Sequence, residues 1–167
     1  MSKVTPIRPS APDPRAGRIA LLGTGVVGSA FVARYRQLAD RGLALPPFAW
    51  LSNSRVQVVN RGSLEEAIAT AHAAPRQPGP VPPWAEGEAL ARGDIVIDAT
   101  ASDTVAGWHP EWLMRGIHVV TANKLGNGGD LTRAQAIVEA QREGARYGDS
   151  ATVGAGLPLL RLIRELV

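Results

Sequence analysis

Two stretches of this chain combine residue types and spacings that could do chemistry. The first is Gly23-Thr24-Gly25-Val26-Val27-Gly28, a G-x-G-x-x-G run. It follows an apolar segment and precedes helical spacing, the setting in which such a run cradles phosphates. Gly23 permits a tight turn, Gly25 lets the backbone approach a pyrophosphate, and Gly28 lets helix and strand pack closely. The helix N-terminus offers unpaired N–H groups and its positive dipole end. A glycine-rich turn that binds nothing is spelled the same way, so the neighbouring elements carry the weight of the reading.

The second stretch is Thr121-Ala122-Asn123-Lys124. The chain holds 18 Lys plus Arg, yet only Lys3 and Lys124 are lysines. A drift toward arginine accounts for most surface positions, and it makes Lys124 stand out. A lysine can give or take a proton when its environment lowers its pKa, and its compact charge can approach a carbonyl or carboxylate oxygen closely. The alternative is a surface lysine at a helix terminus.

These residues need elements to position them. Arg18–Gly23 (RIALLG) reads as a strand buried on both faces. Val26–Asp40 has helical spacing, stopped by Gly42. Phe48–Ser52 is a second strand. Ser63 and Glu66 form a capping box opening a helix to about Ala73. Residues 75–83 are a Pro-rich loop, followed by a short helix around Trp84–Ala91. Asp94–Thr100 is a third strand, and Asp103 or Thr104 caps a helix that Gly116 ends. Ile117–Thr121 is a fourth strand, Asp130–Gly144 a helix, Arg146–Val153 a fifth strand, and Leu157–Val167 a helix.

Alternation of this kind predicts an α/β, Rossmann-like, doubly wound parallel sheet with helices on both faces. In such sheets ligands bind at the carboxyl ends of the strands. Lys124 and the Thr100–Asp103 segment both follow strands, so they share a rim with the glycine loop. At the end of the second strand an acid would bind a ribose 2′-hydroxyl, but Leu51–Arg55 contains none. Asn53 can hydrogen-bond a hydroxyl or phosphate, and Arg55 can pair with a 2′-phosphate, which favours NADP over NAD. A solvated loop arginine is the other reading of Arg55.

Composition narrows the class. The 167 residues are 45% hydrophobic and 20% charged, a globular profile. The pI is near 9.9. However, residues 1–17 carry a net +2 of the total +3 (Lys3, Arg8 and Arg15 against Asp13), and the remainder is nearly neutral with scattered basic residues. That distribution argues against a nucleic-acid partner. No apolar run is long enough to span a bilayer, and residues 1–17 lack a signal-peptide core. They read as a flexible Pro-rich leader. The absence of cysteine excludes disulfides and thiolate sites and fits a cytoplasmic location.

Four blocks in order, IALLGTGVVGSAF, DIVIDATAS, GIHVVTANK and SATVGAGLPLL, resemble the cofactor-binding half of homoserine dehydrogenase. The resemblance runs from about Arg18 to Val167. It implies a dehydrogenase that reduces aspartate semialdehyde to homoserine with NADPH or NADH, in threonine and methionine biosynthesis. It implies that Gly25, Val26, Val27 and Gly28 line the pyrophosphate, and that Thr100, Ala101 and Ser102 lie beside the nicotinamide ribose. Asn123 and Lys124 would then lie near nicotinamide and substrate. It also implies a monovalent cation, such as sodium, on the main-chain carbonyls of Ser150, Val153, Ala155 and Leu157. The family commonly has glutamate where Ser150 stands. On this resemblance residues 18–155 are the NAD(P)-binding domain and residues 156–167 begin the connection to a second domain. That second domain would supply the substrate-binding acids, a proton-transferring lysine and most of the homodimer interface. The isolated chain is accordingly expected to be inactive. The alternatives are a non-catalytic NAD(P)-binding module or a truncated homologue without activity.

Other polar residues have structural readings. His72, His109 and His118 lack metal-like spacing. Asp98 suits backbone bonding near the rim, Trp108 and Trp112 suit packing on one helix face, and Glu65-Glu66 suits a helix start.

Overall fold

A computed structural model describes residues 17–75 and 90–152. The predicted leader, the short helix around Trp84–Ala91 (apart from its last two residues) and the helix at Leu157–Val167 lie outside the described residues, as does most of the Pro-rich loop. The elements run β1 (Ile19–Leu22), α1 (Val26–Asp40), β2 (Phe48–Ser52), β3 (Gln57–Val59), α2 (Leu64–Ala73) and β4 (Ile95–Asp98). They continue with α3 (Asp103–Met114), β5 (His118–Thr121), α4 (Leu125–Gly128), α5 (Leu131–Gln141) and β6 (Tyr147–Gly148).

The strands form one sheet in the order β3-β2-β1-β4-β5-β6. Every neighbouring pair is parallel except β2–β3. Alternation along β1 explains the two-sided burial. Ile19 and Leu21 join Val32 of α1 and Ala67 of α2 in one core. Ala20 and Leu22 join Val105, Trp112 and Leu113 of α3 and Ile137 of α5 in the other. The sheet is thus wrapped on both faces. Removing a buried aliphatic side chain such as Leu21 costs about 2–5 kcal/mol, because the lost burial is joined by a cavity. A register shift pairs Ile19 with Phe48 but Ala20 with Trp50. Phe48 therefore faces the α1/α2 core while Trp50 faces the α3/α5 core.

Several boundaries differ from the sequence reading. The third strand in chain order, β3, was not expected, nor was an antiparallel pair. Asn53 accepts from the N–H groups of Arg55 and Val56 at 2.8 and 3.0 Å, an Asx turn that reverses the chain. The β-branched pair Val58-Val59 then adds to the sheet edge. The cap of α3 is Ser102, whose hydroxyl accepts from Val105 N at 3.3 Å, rather than Asp103 or Thr104. Among the described residues, 146–152 do not form one long strand. β6 holds two residues, and Asp149 then turns the chain, its carbonyl accepting from Thr152 N at 2.9 Å. The helix expected over Asp130–Gly144 spans Leu131–Gln141, with Asp130 as its cap and Gly144 in a left-handed conformation. Ser63 caps α2 as expected, accepting from Glu66 N at 3.1 Å.

Candidate functional site

The chain leaves β1 toward β2 on one side, and β4 lies on the other, so the carboxyl end of β1 is the point where strand order reverses. A cleft of about 560 Å³ opens there. It is lined by Leu22–Gly25, Ser52–Ser54 and Thr100–Ser102, with Thr104, Val105 and Trp108 completing one wall. Two of the sequence-predicted segments, the glycine loop and the Thr100 rim, therefore meet across one cavity.

The three glycines have separate reasons. Gly23 sits at φ +91°, a conformation that L side chains rarely adopt, and a Cβ there would meet Ala99 O at 2.7 Å. At Gly28 a Cβ would lie 1.9 Å from Gly23 O, so only glycine lets α1 start this close to the turn. At Gly25 a Cβ would meet nothing within 4 Å. Gly25 is the N-cap of α1 and no side chain caps that end. The helix opens with Val26 and Val27, which are 88% and 52% exposed. An uncapped N-terminus with open space over its glycine fits a phosphate group of a dinucleotide.

Asn53 lines the cleft, but its amide is already spent. Nδ2 donates to Ala71 O at 2.7 Å and to Thr24 Oγ1 at 3.2 Å, while Oδ1 holds the Asx turn. The exposed Arg55 extends to the carboxyl end of α2, where Nη1 donates to His72 O at 3.2 Å. His72 in turn pairs through Nε2 with Thr24 O at 3.0 Å, tying α2 to the glycine loop.

Beneath the Thr100 rim lies a fully buried carboxylate. Asp98 Oδ1 accepts from Thr100 N at 2.9 Å and Thr100 Oγ1 at 2.7 Å. Its Oδ2 faces His109 Nε2 at 2.9 Å and accepts from Asn123 Nδ2 at 3.0 Å. Burial pushes the Asp98 pKa up. The hydrogen bonds from His109 and Thr100 outweigh burial, so the net direction is down and the group is a carboxylate. Burial, followed by the charges of Asp149 and Asp98, raises the Tyr147 hydroxyl well above its ordinary value. That hydroxyl stays protonated and lies 3.1 Å from His109 Nδ1. With Tyr147 donating to Nδ1, the ring donates from Nε2 to Asp98.

Asn123 is 1% exposed. Its Nδ2 donates to Ser102 O at 2.8 Å as well as to Asp98, and its Oδ1 accepts from Leu125 N at 3.1 Å. The asparagine thus staples the loop after β4 to the loop after β5. Lys124 follows as the N-cap of α4, with an exposed side chain outside the cleft lining. Arg133 of α5 braces this turn, donating from Nη1 to Leu125 O at 2.8 Å and to Asp103 Oδ1 at 2.9 Å. Among the candidate cation ligands, Ser150 is exposed in the turn after β6, while Val153, Ala155 and Leu157 lie outside the described residues. Among the described residues no cluster of three His, Cys, Asp or Glu could hold a metal, and no helix is long and apolar enough to cross a membrane.

The sequence reading did not anticipate the roles of His109, Tyr147, Arg133 or Trp108 at the site. Trp108 packs edge-on against Trp112 at 5.8 Å, as expected, and also walls the cleft. The spacing of Asp98 and His109 bridges a loop and a helix turn. No local pattern marks it, and a histidine inside an apolar helix was the one available signal.

Comparison with known proteins places the chain. The family described as homoserine dehydrogenase, NAD binding domain, matches residues 23–147. The bifunctional aspartokinase/homoserine dehydrogenase 1 of Arabidopsis thaliana, a chloroplastic protein, is 39% identical over 85 residues, covering 50% of this chain and 9% of that protein. The homoserine dehydrogenase of Saccharomyces cerevisiae is 26% identical over 169 residues, covering 89% of this chain and 43% of its own. Among solved structures, a hyperthermophilic archaeal homoserine dehydrogenase in complex with NADPH has a TM-score of 0.69 at 19% identity, covering 90% of this chain and 48% of that one. This last likeness shows the fold. The chain spans less than half the length of each of these three proteins. The family match begins at Gly23, runs through the Thr100 rim, Asn123 and Lys124, and ends at Tyr147, and on it the chain belongs to the homoserine dehydrogenase NAD-binding domain family.

Proposed function

We propose that this chain is the cofactor-binding half of an NAD(P)-dependent homoserine dehydrogenase, acting between aspartate semialdehyde and homoserine. The observation that carries the reading is the cleft at the carboxyl end of β1, where the uncapped α1 N-terminus faces the Thr100–Ser102 rim. The backbone at Gly25, Val26, Val27 and Gly28 holds the pyrophosphate, and Thr100, Ala101 and Ser102 hold the nicotinamide ribose. A reduced nicotinamide held by these residues would supply the hydride for the aldehyde carbon. Lys124 donates a hydrogen bond from Nζ to the carbonyl oxygen as negative charge builds on it, and the proton that completes the alcohol comes from a proton-transferring lysine of the second domain. Arg55 favours a 2′-phosphate, so NADP is the preferred cofactor.

Residues 18–155 form the cofactor domain in this reading. A second domain holds the substrate's amino and carboxylate groups and forms the dimer, and the protein is cytoplasmic. The monovalent cation on the carbonyls of Ser150, Val153, Ala155 and Leu157 belongs to the same proposal, with no step routed through it. The test is steady-state kinetics on this chain joined to the second domain. Oxidation of NADPH or NADH that depends on aspartate semialdehyde is expected, and its absence in a folded sample sinks the reading.

A further inference from the structure

We infer that Asp98, supported from below by His109, is a positioning residue that sets the nicotinamide-side rim of the cleft through Asn123. The inference rests on the dinucleotide reading above. Asp98 is 0% exposed, so it touches neither cofactor nor substrate. Its effect passes through three neighbours.

The carboxylate is the acceptor that decides which way Asn123 points. With Oδ2 accepting, Asn123 Nδ2 faces down and toward Ser102 O, and its Oδ1 faces Leu125 N. One side-chain orientation therefore places Ser102, at the rim, and Leu125, next to Lys124. The other oxygen of Asp98 fixes Thr100 by both its N–H and its hydroxyl. His109 supplies the remaining donor to Oδ2, and Tyr147 keeps its ring in register. Gly126 is part of the same device, because a Cβ there would fall 3.1 Å from His109 Nδ1 and closer still to the Tyr147 hydroxyl.

Replacing Asp98 by asparagine keeps the shape and puts an NH2 group into this array. If its oxygen stays with Thr100, its nitrogen confronts Asn123 Nδ2, donor against donor. Asn123 must then turn over, which withdraws the donor from Ser102 O and the acceptor from Leu125 N together. The glycine loop and the Ser52–Ser54 side of the cleft share none of these bonds. The damage is thus confined to one half of a dinucleotide.

The experiment titrates the chain with NADH and with ADP by calorimetry, melting each protein in parallel. ADP carries the adenosine and diphosphate that the glycine loop holds and lacks the nicotinamide ribose. Asp98→Asn should bind NADH at least about tenfold more weakly, the scale of losing hydrogen bonds to a charged group. Its ADP affinity should stay within about twofold of wild type. His109→Phe leaves three donors on the carboxylate and serves if Asp98→Asn does not fold. It should lose about fivefold for NADH and little for ADP, while His109→Gln, which restores a donor, should bind both as wild type does. Unchanged NADH affinity in both disruptive variants overturns the inference, as do equal losses for both ligands or the failure of every variant to fold. A wild-type chain that binds neither ligand removes the dinucleotide reading itself.

Discussion

Gly25 and Gly28 lie three residues apart, and alanine at each should fail in opposite ways. At Gly28 the added Cβ would sit 1.9 Å from Gly23 O and 2.9 Å from Gly23 C, both backbone atoms. Ordinary contact needs well over 3 Å, so α1 or the turn must move by about an ångström. Overpacking of this kind costs about 1–3 kcal/mol, and a rigid backbone neighbour puts Gly28→Ala at the upper end. At about 2–4 °C per kcal/mol, the melting temperature should fall by roughly 6–12 °C. Gly25→Ala meets nothing within 4 Å and has φ −74°, which alanine adopts freely. Loss of a glycine N-cap and reduced freedom of the unfolded chain each shift stability by up to about 1 kcal/mol in opposite directions, so melting should hardly change. The methyl would nonetheless stand where the pyrophosphate approaches, and affinity for NADPH and NADH should drop by at least about tenfold. Differential scanning fluorimetry and calorimetric titration read the two effects separately. Gly25→Ala with wild-type affinity would refute the reasoning, because no phosphate would then need the space over that glycine. Gly28→Ala with an unchanged melting temperature would refute the packing argument.

Arg55→Ala should weaken NADPH by more than about tenfold, the loss of a charge-assisted contact, and leave NADH nearly unchanged; equal losses in titration would mean that Arg55 does not read a 2′-phosphate. In a protein carrying the second domain, Lys124→Arg should lower turnover strongly although the charge is kept, and near-wild-type kcat and KM would show that position 124 needs only a cation. Burial raises the Asp94 carboxyl, but bonds from Arg18 and Ala91 lower it further, so its folded pKa is depressed. A depressed carboxylate contributes stability that is present above its unfolded value near about 4 and is lost as pH falls through the folded value. Melting should therefore be level above pH about 5 and decline below about 4, with a shallower decline in Asp94→Asn.

The fold was legible where one local rule governs. RIALLG is apolar at every turn of the pleat, so both faces of β1 are buried, and the α1 and β2 limits follow from spacing and flanking glycine or proline. β3 escaped because its three residues depend on a single side chain: Asn53 can hydrogen-bond a hydroxyl or a phosphate, and nothing in its own segment announces that its carbonyl also closes the turn. Thr100–Ser102 was legible as part of the rim because it follows a strand of an open sheet, and it does line the cleft. What holds it was not, because Asp98, His109, Asn123 and Tyr147 come from two strands, one helix and the start of a loop, and only the fold brings them within hydrogen-bond distance. Lys124 stood out by its rarity, yet its placement depends on Asn123 before it and on Arg133 behind α4, neither of which its own segment announces.

The most direct measurement is calorimetric titration of the folded 167-residue chain with NADPH and NADH. The account predicts weak but saturable binding of at least one of them, because the glycine loop and the Thr100 rim meet across one cleft. A folded chain that takes up neither cofactor at about millimolar concentration, where even a binding energy of about 4 kcal/mol would register, contradicts it.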